Sequence, residues 1–298
     1  MQYHLVKYIS RLVCLLPAKL RQSLGRLVGW LCWPLVSAKR RKMAIENICR
    51  SLKVDEQQAY ALAKASAVRF GPMFMEVLQM PCLTKDNIGQ YVKINGREHL
   101  EAALKLGRGA VLATAHTGNW ELLGASLAMH GFPLVAVVQR QTNAAMDSFI
   151  NEYRTKAGMH VTYKQGVREM VKLLCAGKII GLLMDQDNHR DGVFVEFFSR
   201  LASTPQGAAA LGRLNNAPIV PAFITANQDG THTAIIHPYV VVEKTADRGE
   251  DIRITTQHLT KIIEDHIKQH PHEWFWLHNR WKTRPPAMDS ETTNRQIK

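Results

Sequence analysis

Several features that would settle the class of this 298-residue chain at once are missing from it. The five cysteines, at 14, 32, 49, 82 and 175, are odd in number, widely spaced and without C-x-x-C. Neither a disulfide framework nor a zinc site is indicated, and a reducing compartment is expected. No uncharged run can span a bilayer. The longest, Leu122–Gln139, is interrupted by Gly131 and Pro133 and reads as helix, turn and strand, whereas a crossing needs about 20 apolar residues. A cleaved signal peptide is disfavoured, because the apolar run Leu12–Ala18 is short and flows into basic amphipathic sequence. There is no G-x-G-x-x-G after a strand and no P-loop, so nucleotide binding is unsupported. Internal repeats are absent. With 46% hydrophobic residues, 12 prolines and 19 glycines, collagen-like, low-complexity and largely disordered chains are excluded.

Acid is what the first 50 residues lack. Ten basic residues face Glu46 alone there, which supplies +9 of the overall +13. Such a field calls for an anionic partner. Leu5, Val6, Ile9, Leu12, Val13, Leu15 and Leu16 recur at helical spacing, and Leu20, Leu24, Leu27, Val28 and Leu31 continue it after Pro17. Trp30 and Trp33 precede the basic cluster at 39–42. An apolar face, a basic face and interfacial tryptophan describe a helix lying in the plane of an anionic membrane. Packing of this hairpin on the protein's own core is the competing reading. Nucleic acid is not expected as a partner, since no recognised module accompanies the charge.

From residue 91 onward, strands and helices alternate. Strands are predicted at 91–95, 110–115, 133–138, 159–163, 179–184, 219–225 and 232–237, and helices of about ten residues separate most of them. Continuous apolar strands imply an α/β fold with a mostly parallel central sheet covered by helices on both faces. The Asn227-Gln-Asp-Gly230 turn suggests an antiparallel edge. The expected organisation is 1–38 amphipathic membrane-associated helices, 39–90 a helical segment packing on the core, 91–284 the α/β core and 285–298 a polar tail.

Ligands of open α/β sheets sit beyond the carboxyl ends of the strands. Three polar clusters occupy those positions: His116-Thr-Gly-Asn-Trp-Glu121, Gln139-Arg140-Gln141 and Asp185-Gln-Asp-Asn188. On a continuous helix His116 and Glu121 would lie about 140° apart. With a sharp turn at Gly118, Glu121 instead enters the first turn of the following helix and can reach back to the imidazole. That gives a base with an orienting carboxylate. The clusters hold no serine or cysteine nucleophile, so the substrate's own hydroxyl is expected to attack.

The string AHTGNWE resembles the H-x-x-x-x-E block of the lipid A biosynthesis (late lauroyl/myristoyl) acyltransferases, within the lysophospholipid acyltransferase superfamily. VVQRQTN, MDQDNHRDGVFVEFF, STPQGAAALGRLNNAPIVPAFI and HPHEWFWLHNRWK agree in order, as do LPAKLRQSLGRLVGW and RRKMAIENI near the start. The resemblance implies acyl transfer from a thioester to a lipid hydroxyl, with no metal or cofactor beyond that co-substrate. It makes His116 the general base, oriented and charged by Glu121. Arg140 is implied to bind a phosphate or stabilise the oxyanion. Asp185 and Asp187 match an acidic pair that positions the acceptor or neutralises Arg140, and Asn119 belongs to the same substrate-binding rim. Gln141 stands where many members have proline.

The implied donor is acyl carrier protein, with coenzyme A as the alternative. The implied acceptor is an anionic glycolipid, a lipid A precursor, met at the cytoplasmic face of the inner membrane. Rival acceptors are a lysophospholipid, an ornithine lipid or a pigment glycolipid, and the rival of another class is a non-catalytic membrane adaptor with this fold. His266 and His270 have a metal-compatible spacing but no third ligand and read as solvent-facing. Trp274, Trp276 and Trp281 could line an acyl groove or pack the core, and Cys175 reads as a buried helix residue.

Overall fold

The computed structural model describes residues 2–139, 142–163 and 166–285. Arg140 and Gln141 therefore lie outside the described residues, as does nearly all of the expected tail.

Five helices open the chain: α1 (Gln2–Leu15), α2 (Ala18–Cys32), α3 (Ala38–Leu52), α4 (Glu56–Val68) and α5 (Phe70–Gln79). A short α6 (Ile88–Tyr91) leads into β1 (Val92–Asn95), and α7 (Arg97–Lys105) into β2 (Ala110–Thr114). Then follow α8 (Trp120–Met129), β3 (Leu134–Val138), α9 (Ala144–Lys156), β4 (His160–Tyr163), α10 (Val167–Cys175) and β5 (Ile179–Leu183). The chain continues through β6 (Val193–Phe197), β7 (Arg200–Thr204), α11 (Gly207–Asn215), β8 (Ile219–Ala226), β9 (His232–Ile236) and α12 (Arg248–Gln269). Helix starts follow capping chemistry. Asp55 accepts from the Gln58 N–H, Asn119 from Leu122, Asn143 from Ala145 and Met146, and Asp247 from Glu250.

The main sheet runs β1-β9-β8-β2-β5-β3-β4. β8, β2, β5, β3 and β4 pair in parallel, and β9 runs antiparallel to β8. Side-chain alternation divides the interior in two. Ala110, Leu112, Leu134, Ile179 and Val220 join a core roofed by α5, α7, α8 and α9. Val111, Ala113, Val135, Ile180 and Ile219 join the opposite core, under α3, α4, α10, α11 and α12. This is the α/β architecture the apolar strands predict.

The structure departs from expectation in several places. β9 is not an edge, because β1 pairs with it in parallel, Val92 opposite His232. The hairpin β6–β7 forms a separate two-stranded sheet. Its turn residues Phe198 and Ser199 take φ of 51° and 56° without the glycine or asparagine that announces such turns. Cys14 and Cys82 form a disulfide across 68 residues, with Cα atoms 6.3 Å apart, because α1 packs beside the segment after α5. Spacing alone could not reveal that pairing. Cys175 is exposed, and His266 is buried against Phe223, where desolvation pushes its imidazole down to about 3. Trp33 is buried, with its indole on the Tyr60 hydroxyl, while Trp30 stays exposed.

α2 docks backbone to backbone on α5 and on the end of α4. A Cβ on Gly71 of α5 would lie 1.9 Å from the Gly25 carbonyl oxygen, and one on Gly29 would lie 2.0 Å from that of Val68, the last residue of α4. α2 therefore belongs to the packed body while Leu27, Trp30 and Leu31 face outward. On α1, Leu5, Ile9, Leu12 and Leu15 do the same. No helix among the described residues is long and apolar enough to cross a membrane.

Candidate active site

β2 and β5 are parallel neighbours with Thr114 opposite Leu183. Two residues beyond that pair, the chain delivers His116 and Asp185 to the same end of the sheet. The His116 ring Nδ1 lies 2.8 Å from Asp185 Oδ1, and the His116 backbone N–H donates to Oδ2 at 2.9 Å. Gly118 makes the turn that follows, at φ +55°, and a Cβ there would lie 1.9 Å from the Ile224 carbonyl oxygen. Only glycine fits. The Trp120 ring meets the imidazole edge-on at 4.9 Å. The histidine side chain is 18% exposed, and among the described residues its Nε2 has no hydrogen-bond partner. Nδ1 is thus held by a carboxylate, and the opposite ring nitrogen is left without a partner among the described residues.

The orienting carboxylate is Asp185 rather than Glu121. Glu121 does occupy the first turn of α8, but both of its oxygens go to Arg154 of α9, at 2.5 and 2.9 Å. Burial pushes the Asp185 carboxyl up. The His116 charge and ring contact, the Trp274 indole and the His116 N–H outweigh that, and the carboxyl is held down at about 2.

The segment after α12 completes the site. Trp274 donates its indole N–H to Asp185 Oδ2 at 2.7 Å, Phe275 donates its backbone N–H to the His116 carbonyl, and Gly118 donates to the Glu273 carbonyl. Arg69, at the α4–α5 junction, donates to the carbonyls of Gly118 and His116 at 2.8 and 3.3 Å. Arg69 is half-buried, and desolvation lowers its guanidinium to about 10. Asp187 serves the same strap. It accepts from the Thr283 N–H and hydroxyl, and its own N–H donates to His278 Nε2 at 3.0 Å. Asn119 caps α8 and donates its amide to Glu76.

Of the expected site residues, the structure therefore brings His116 and Asp185 into contact and turns Glu121, Asp187 and Asn119 to other partners. Arg140 is outside the described residues. Arg69 and Arg154 carry no signal in the sequence that marks them, and Trp274, expected to line an acyl groove or pack the core, reaches Asp185 instead. Trp274 lies within HPHEWFWLHNRWK, but nothing in its spacing points at Asp185. Trp274 and Trp276 are both core residues. Among the described residues, no group of three or more His, Cys, Asp or Glu could hold a metal ion.

The family profile described as bacterial lipid A biosynthesis acyltransferase matches residues 1–283. The chain belongs to that family. This acyltransferase is 25% identical over 263 residues to the lipid A biosynthesis lauroyltransferase of Escherichia coli, covering 87% of this chain and 78% of that one. It is also 25% identical over 274 residues to the lipid A biosynthesis palmitoleoyltransferase of the same organism, covering 91% and 82%. The phosphatidylinositol mannoside acyltransferase of Mycolicibacterium smegmatis is 28% identical over 225 residues, covering 74% and 72%. Among solved structures, the 1-acyl-sn-glycerophosphate acyltransferase PlsC of Thermotoga maritima aligns over 87% of this acyltransferase and 99% of its own chain, with TM-score 0.38 and 13% identity.

Proposed function

We propose that this acyltransferase moves a fatty acyl chain from acyl carrier protein to a hydroxyl of a lipid A precursor at the cytoplasmic face of the inner membrane. The observation that carries the chemistry is the His116 imidazole, anchored through Nδ1 on Asp185 and without a partner on Nε2 among the described residues. Nε2 removes the proton from the acceptor hydroxyl as that oxygen attacks the thioester carbonyl. The tetrahedral intermediate then collapses with cleavage of the C–S bond, and the leaving thiolate recovers the proton from the imidazolium. The product ester and free thiol balance the step, with no acyl-enzyme between them. Arg140 is the residue we assign to the developing oxyanion or to an acceptor phosphate, on the strength of its place in the family pattern. Glu121 contributes by holding Arg154.

The lipid A acceptor is supported by family membership and by the two Escherichia coli relatives. A second reading is favoured by the mannoside relative, which is similar at comparable identity: another anionic glycolipid as acceptor. Membrane contact is supported by the outward apolar faces of α1 and α2, which carry Arg11, Lys19 and Arg26 alongside Leu12, Leu15 and Trp30.

The test is turnover by the purified chain with acyl carrier protein and coenzyme A thioesters. Acceptors are a tetra- or penta-acylated lipid A precursor, a lysophospholipid and a phosphatidylinositol mannoside, with products read by mass spectrometry. Acylation of the lipid A precursor that falls about 10²–10⁴-fold in His116→Ala, with the fold intact, is the expected result. Acylation of another acceptor alone moves the assignment to that acceptor. Full activity of His116→Ala removes the base.

A further inference from the structure

Asp185 Oδ2 has two donors. One is the His116 backbone N–H, and the other is the indole of Trp274, which lies 89 residues further along the chain. The indole itself cannot move. Trp274 is 1% exposed, its ring meets Phe197 edge-on at 5.5 Å and Trp276 at 4.6 Å, and its carbonyl accepts from the buried Ser66 hydroxyl. Its backbone bridges Thr117, one residue past the histidine.

We propose that Trp274 is a positioning residue for the base: it fixes the rotation of the Asp185 carboxylate against His116 and limits how much of that carboxylate's charge the imidazole feels. The proposal rests on His116 acting as the base. Two donors on Oδ2 prevent the carboxylate from turning about its Cβ–Cγ bond, so Oδ1 stays on Nδ1. Each donor also takes a share of the negative charge. A bare buried carboxylate would hold the imidazole in its protonated form, which cannot accept the substrate's proton. The indole restrains that attraction while preserving the alignment.

Other charged or titratable groups surround the pair. His278 and Arg280 approach from the C-terminal strap, Arg69 from the α4–α5 junction, and Asp187 from the loop after β5. All four are unchanged when Trp274 alone is altered, so a difference in pH behaviour belongs to the indole.

The experiment replaces Trp274 with 3-benzothienylalanine in the full chain, which keeps the bicyclic outline and exchanges the N–H for sulfur. Trp274→Phe serves as a second variant, with folding followed by thermal melting. The pH dependence of kcat/KM is measured with an acyl thioester and the acceptor that the wild type uses. We expect kcat to fall about tenfold or more at little change in KM. The acid limb should move to higher pH by about half a unit or more, because an undamped carboxylate holds the proton on the ring more firmly. A limb that stays in place or moves to lower pH in the benzothienyl variant overturns the proposal, whatever happens to kcat. His116→Ala is assayed alongside. An inactive His116→Ala with an unmoved limb sinks the role of Trp274 alone, whereas an active His116→Ala sinks the base reading itself.

Discussion

Glu121 places both carboxylate oxygens on the Arg154 guanidinium, at 2.5 and 2.9 Å, and the two side chains are each 13% exposed. Glu121 thus joins two helices, α8 and α9, and leaves the imidazole to a carboxylate at the end of another strand. A double-mutant cycle on unfolding free energy should give Glu121→Gln and Arg154→Gln a coupling of about 1–3 kcal/mol. The same cycle between Glu121→Gln and His116→Gln should be additive to within about 0.5 kcal/mol. Strong coupling in the second cycle would return Glu121 to the imidazole.

The acid response of the protein should carry the mark of Asp185. Its carboxyl is held at about 2 in the folded chain against an ordinary 3.8. A folded value below the unfolded one means that the native state binds fewer protons in that interval. The resulting stability is present above the unfolded value and is lost as pH falls through the folded one. That contribution is about 2 kcal/mol. Urea unfolding between pH 5 and pH 2 should show Asp185→Asn losing less stability on acidification than the wild type by about this amount. Parallel pH curves for the two proteins would refute it. At neutral pH the same variant should be slower by about 10³–10⁴-fold, because an amide cannot compensate the imidazolium.

The contact between α2 and α5 leaves no room for a methyl group. Gly71→Ala directs its Cβ at the Gly25 carbonyl, 1.9 Å away, so the helices must separate. A loss of about 2–4 kcal/mol is expected from denaturant midpoints. Gly89→Ala, where a Cβ meets nothing within 4 Å, should leave the midpoint nearly unchanged.

Leu15 at the end of α1 is 80% exposed. Leu15→Glu should alter stability by less than about 0.5 kcal/mol. Binding to anionic vesicles should weaken about tenfold or more at moderate salt, read by sedimentation. Point substitution is the cleaner probe, since removing α2 would also uncover α5. Unchanged binding would place the lipid contact elsewhere.

Most strands at the centre of the main sheet were legible because they are short apolar blocks, as at Ala110–Thr114, Leu134–Val138 and Ile179–Leu183, whereas β1 and β4 carry polar residues among their few positions. His116 and Gly118 were legible for a similar reason: they follow the first strong strand at the end where ligands bind. Strand order was not legible. Periodicity says which residues form β2 and β5 but not that they are neighbours, and only adjacency turns the Thr114–Leu183 register into a His116–Asp185 pair. Sequence order therefore points to Glu121, the first carboxylate after the histidine, whereas strand order supplies Asp185. Trp274 was hidden for a related reason. It acts from an irregular segment whose course is set by backbone contacts to Gly118 and His116, and those leave no periodic trace. The hairpin β6–β7 escaped because its turn is made by Phe198 and Ser199.

Phe275 donates to the His116 carbonyl and Gly118 donates to the Glu273 carbonyl, so the segment after α12 and the loop after β2 are laced together main chain to main chain. A disturbance of that segment therefore reaches the imidazole through the backbone, with no side chain of the pair itself replaced, and remote substitutions around residues 273–275 act on the His116–Asp185 alignment by geometry alone.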